Sequence, residues 1–115
     1  MALSPPRRER FAVKCGSRYD VVRASAILWM EAADNYVRLH TAEESHLFRS
    51  SLTELEQSLD PALFLRIHRS IIINVDAVRS IESWGMYEHL FVLSDGSKLT
   101  SSRRYRGAIR AVFGV

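Results

Sequence analysis

A lone cysteine, Cys15, excludes an internal disulfide. It sits in FAVKCG, an alternating stretch that reads as a strand, and the expectation is an inert packing residue. Five glycines and three prolines leave no glycine-rich phosphate loop and no low-complexity segment. The apolar runs are a few residues long, far below the roughly 20 that cross a bilayer. The first ten residues, MALSPPRRER, lack the apolar stretch of a signal peptide and read as linker-like. A soluble, cytoplasmic protein is therefore expected, with residues 1–9 a linker or tail and residues 10–115 one domain. The four histidines, His40, His46, His68 and His89, show no metal-ligand spacing, and no G-x-S-x-G elbow is present. Glu31 and Asp34 could be drawn as an acid–base pair, but carboxylates at such strand-to-turn positions are usually turn and surface residues. No enzyme, metal or cofactor is expected.

What the chain does have is apolar residues and arginine. At 47% apolar it should fold around a core. The net charge is only +3, yet fourteen of the sixteen basic residues are arginine, the side chain that makes bidentate contacts to phosphate and to guanine. They are unevenly spread. No acid occurs from Pro61 to Val75, and from Leu99 onward there are four arginines and no acid, while the acids gather at Glu43–Glu44 and at Glu54, Glu56 and Asp60. The pattern reads either as a basic and an acidic face, with a polyanion as partner, or as ordinary solvated surface.

Many short alternating segments predict a mainly β domain. RFAVKC and YDVVRA flank Gly16–Ser17, and AILWMEAA and YVRLHT flank Asp34–Asn35, each pair reading as a hairpin. SHLFRS, SIIINV, AVRSIESW and HLFVL continue the series, and Asp95–Gly96 predicts a tight turn before SKLTS. Ser51 and Glu54 have capping-box spacing ahead of a stripe of Leu52, Leu55 and Leu59, and Asp60–Pro61 predicts the end of that helix. A second helix is predicted from about Arg103, with Tyr105, Ala108, Ile109 and Val112 at helical spacing.

Two stretches stand out. In FLRIHRSIIINV, Leu65, Ile67, Ile71, Ile73 and Val75 share one parity with Arg69. Since an unpaired buried guanidinium costs several kcal/mol, either the strand starts after Ser70 or Arg69 has an acidic partner. In TSSRRYRG, Arg103 and Arg104 occupy a helix's first turn, where the macrodipole disfavours cations. Helix stability does not explain them. Either they pair with carboxylates of a neighbouring strand, or, with Ser101 or Ser102 as the cap, they form a phosphate site.

Three blocks, WMEAADNYVRLHT, LFRSSLTELEQSLDPALFLRIHRSIIINVDAV and LSDGSKLTSSRRYRGAI, resemble in order the LytTR-type DNA-binding domain over about Arg10 to Val112. The resemblance implies several small antiparallel sheets with one short intervening helix and a C-terminal helix. It implies an output module of bacterial two-component response regulators, commonly behind a receiver domain or a membrane sensor, neither of which is found in these residues. It further implies loops that read the major groove of double-stranded DNA for transcription regulation, commonly on tandem direct repeats. By the same likeness Asn35, His68, Arg69 and Arg103 are base readers, and Ser101, Ser102, Arg104, Arg106, His40 and Arg49 lie near phosphates. Arg69 would then be presented at a turn, anchored by the isoleucines.

Each residue also has a plainer reading. Asn35 is a natural turn former, His68 could be a satisfied core histidine, and Arg69 a surface charge. Tyr36, Tyr105, Trp29 and Trp84 are expected to be packing aromatics. Two other functions stay open: a signalling module on the same fold that binds a partner protein, and single-stranded nucleic-acid binding. The second is disfavoured because the basic residues are not interleaved with aromatics as a stacking platform requires.

Overall fold

Ten strands and two short helices follow from these patterns in the computed structural model, which describes residues 7–115. Residues 1–6, and with them most of the expected linker, lie outside the described residues. Arg7–Glu9 have no regular structure but lie against the domain: the Arg8 N–H donates to the Ser58 carbonyl at 2.8 Å, and its guanidinium lies over the rings of Phe11 and Phe48.

Strands β1 (Arg10–Cys15) and β2 (Arg18–Arg23) form the first expected hairpin. The second, β3 (Ile27–Ala33) and β4 (Tyr36–Thr41), turns at Asp34–Asn35, where Asp34 adopts the left-handed conformation with φ 57°. β5 (Ser45–Arg49), β6 (Phe64–His68) and β7 (Ile71–Asn74) complete a five-stranded sheet in the order β5-β4-β3-β7-β6. β8 (Val78–Trp84), β9 (Glu88–Leu93) and β10 (Lys98–Thr100) form a third sheet, and every pairing is antiparallel. The expected mainly β architecture of small sheets is what the chain adopts.

The five-stranded sheet separates two cores. On one side Ile27, Met30, Val37, Leu39, Phe64 and Ile72 meet Phe11, Val13 and Val22 of the hairpin and Leu52, Leu55 and Leu59. On the other, Leu65, Ile67 and Ile73 meet Phe91, Leu93, Leu99 and Ile109. Neighbours Phe64 and Leu65, and Ile72 and Ile73, thus enter different cores, which is why the isoleucine run is continuous rather than alternating. Burial of each such side chain stabilises the fold by about 1.5–3 kcal/mol.

Helix α1 (Leu52–Glu56) begins as its capping signal predicts, with Ser51 Oγ accepting the Glu54 N–H at 3.1 Å. It stops before the predicted Asp60, and Leu59 reaches the core from the turn that follows. Predicted to start near Arg103, the last helix instead opens with a 3-10 turn over Arg103–Tyr105, and α2 runs Arg106–Phe113. Arg106 is thereby its first residue, and left-handed Gly114 closes it.

Three packing expectations are overturned. Cys15 is exposed, because β1 extends past Phe11 and Val13 to a hairpin tip that nothing covers. Tyr36 is 38% exposed, on the strand face opposite Val37 and Leu39, and Trp84 is 54% exposed at the end of β8. Trp29 and Tyr105 are half-buried and pack against the second core, as expected.

Candidate nucleic-acid interface

Two backbone hydrogen bonds align the three turns that carry the predicted readers. The β3–β4 turn lies beside the β6–β7 turn because the Ala32 N–H donates to the Ser70 carbonyl at 2.9 Å. The β6–β7 turn lies beside the segment after β10 because the Ser102 N–H donates to the Ile67 carbonyl at 2.9 Å. Asn35, Arg69 and Arg103 therefore stand on neighbouring turns, and all three are exposed.

The β6–β7 turn resolves the Arg69 puzzle. β7 starts after Ser70, and the pairing of β6 with β7 shifts register between Arg66 and His68, so Arg69 falls at the turn and not on a core face. His68 folds back into that turn. Its Nδ1 accepts the Ser70 N–H at 3.1 Å and lies 2.9 Å from Ser70 Oγ, leaving the half-buried ring as part of the turn's bracing. From the strand side Arg66 clamps the same turn. Its guanidinium donates to the carbonyls of His68 (3.3 Å) and Arg69, and also to Thr53 Oγ1 (2.9 Å) and Glu56 Oε1 (3.1 Å) on α1. Both carbonyls of the turn are thus tied to a helix, which favours one backbone geometry. Sequence reading missed Arg66. The available signal was Thr53 and Glu56 at i,i+3 spacing on one helix face, close in the chain to an arginine within an apolar strand.

The third segment differs from expectation in both of its serines. Ser101 is buried, with its Oγ accepting the His89 N–H at 2.9 Å and its own N–H donating to the His89 carbonyl, so this hydroxyl secures the segment to β9 and does not face a phosphate. Ser102 precedes the 3-10 turn but makes no side-chain cap. Arg103, Arg104 and Arg106 are all exposed. Tyr87, in the β8–β9 turn, brings two of them together: the guanidinium carbons of Arg103 and Arg106 lie 4.4 and 5.2 Å from its ring centroid. Tyr87 had no sequence signal, being sixteen residues before Arg103 in a separate hairpin.

Of the remaining residues, Arg49 is at the end of β5, opposite Tyr36 in the register and 5.9 Å from its ring, and so joins the edge. His40 does not. It is five residues beyond Asn35, about 17 Å along the strand, with its ring stacked on Trp29 (3.9 Å between centroids) and its Nε2 2.8 Å from Glu31 Oε1. The basic face is also incomplete, since Asp34 and Glu54 share a shallow depression with Asn35 and Arg49, and Arg7, Arg8, Arg10 and Arg23 line a separate pocket with Asp60. The decisive electrostatic fact concerns the turns: among the described residues, none of Arg69, Arg103, Arg104 and Arg106 has a carboxylate within 4.0 Å. Pairing with a neighbouring strand's acids does not account for them.

Among the described residues no helix is long and apolar enough to cross a membrane. No group of three His, Cys, Asp or Glu side chains there could hold a metal ion.

The fold is shared by a solved protein, and the sequence has known relatives. The solved LytTr DNA-binding domain of a Bacillus cereus protein superimposes with a TM-score of 0.85 at 25% identity, covering 94% of this chain and 99% of that one. The sensory transduction protein LytT of Bacillus subtilis is 24% identical over 94% of this chain, and the transcriptional regulatory protein LytR of Staphylococcus aureus 25% identical over 90%. This chain spans 45% and 42% of their respective lengths. The LytTr DNA-binding domain family matches residues 17–114, and the chain belongs to that family.

Proposed function

We propose that the domain reads double-stranded DNA sequence-specifically through the turns at β3–β4, β6–β7 and β10–α2, and that it serves transcription regulation in the cytoplasm. The observation that carries this is the set of exposed arginines that, among the described residues, have no acidic partner, on turns laid side by side. Free guanidinium groups match both phosphate oxygens and the O6/N7 edge of guanine. Arg69 and Arg103 are the guanine readers in the major groove and Asn35 reads adenine or a backbone oxygen, while Ser102, Arg104, Arg106 and Arg49 set register on phosphates. The reading includes a receiver or sensor segment that supplies the input signal, in keeping with the response-regulator origin of the similar Bacillus cereus domain. The domain binds as a monomer to each of two tandem direct repeats, so sedimentation without DNA should give a single-chain mass, and a tight dimer would overturn this.

The test is an anisotropy titration with a selected duplex, random duplex, single strand and an acidic polymer. The selected duplex should bind tightest. Equal affinity for the polymer would favour a module that binds acidic partners. Arg106→Ala should weaken all duplexes about equally and reduce the log–log salt slope by roughly one unit, as loss of one phosphate contact does.

A further inference from the structure

We propose that Tyr87 is a positioning residue for DNA binding, holding Arg103 and Arg106 as one pre-formed pair. The inference rests on the reading that these two arginines face DNA, and goes beyond it by assigning a role to a hairpin that carries none of the predicted contacts.

Three observations converge. The ring lies 4.4 Å from one guanidinium carbon and 5.2 Å from the other, within the range where a cation is attracted to an aromatic face. The hairpin is not free to drift, because the reciprocal bonds between His89 and Ser101 join the start of β9 to the residue just before the Ser102–Arg103 step. Neither arginine has a carboxylate within 4.0 Å among the described residues, so the ring is the group that orients them. Stacking engages the face of a guanidinium and leaves its N–H groups free in the plane, where phosphate and base acceptors are met. A ring close to both cations also offsets part of their mutual repulsion. Arginine side chains otherwise lose considerable rotamer freedom on binding, and a ring that restrains them beforehand lowers that cost.

The experiment compares Tyr87→Ala and Tyr87→Phe, alone and combined with the double variant Arg103→Ala/Arg106→Ala, on a selected duplex at several salt concentrations. Tyr87→Ala should bind about tenfold more weakly. Its salt slope should stay unchanged, because no phosphate-binding cation has been removed. Tyr87→Phe keeps the ring and should bind within about twofold of the parent. In the double-arginine background Tyr87→Ala should cause no further loss. Wild-type affinity in Tyr87→Ala, an equal loss in Tyr87→Phe, or an undiminished tyrosine effect without the arginines would each overturn the role. Should the double-arginine variant itself bind like the parent, the assignment of these arginines to DNA fails and the tyrosine's role falls with it; a weakened arginine variant beside an unaffected Tyr87→Ala rejects the tyrosine's role alone.

Discussion

Ile67→Ala should lower the unfolding free energy by about 2–5 kcal/mol, read as a fall in the urea midpoint. Ile67 is fully buried against the third sheet and α2, and its carbonyl receives the Ser102 N–H. The alanine would leave a cavity where the five-stranded sheet meets the segment bearing Arg103. For a domain whose whole stability is on the order of 5–15 kcal/mol, that loss is a large fraction. An unchanged midpoint would mean that the second core is not built around this strand.

Two residues on, the opposite outcome is expected. Arg69→Ala should leave the unfolding free energy within about 0.5 kcal/mol of the parent, since the side chain is exposed and makes no ion pair among the described residues. It should cost about 1–3 kcal/mol on the selected duplex and blur the preference at one base pair, with much less effect on random duplex. Unfolding by this substitution would make Arg69 a structural partner. Full affinity for every duplex would remove it from the interface.

Much of the fold was legible because hairpin chemistry is local. Gly16–Ser17, Asp34–Asn35 and Asp95–Gly96 mark turns by residues that suit them, and Ser51 with Glu54 marks a helix start. The helix ends and the exposed aromatics were less legible. Tyr36 and Trp84 carry the same side chains as core residues, and only the stacking of sheets decides which strand face is covered. Cys15 was misjudged for the same reason, since alternation tells which face a residue is on but not how far the covering layer extends. At the candidate interface, the turns proposed for reading were singled out through the family likeness, whereas the side chains that brace them were not. Arg66 and Tyr87 act across chain separations of ten or more residues, and Ser101 looks like an exposed cap until β9 is placed beside it.

The separation of side chain from backbone in the β6–β7 turn bears on how such a domain changes targets over time. Its main chain is held by Arg66 and by the Ala32–Ser70 bond, and neither involves the Arg69 side chain. Under the proposed reading, substitution at Arg69 would alter which base pair is preferred while the scaffold stays intact, and the same would hold for exposed Asn35 on its own turn. Binding-site divergence among duplicated regulators would then proceed through single changes at turn positions, each tolerated by the fold. Arg66 and Ile67 are the positions where drift would be removed by selection, because losing either unsettles the surface on which new preferences arise.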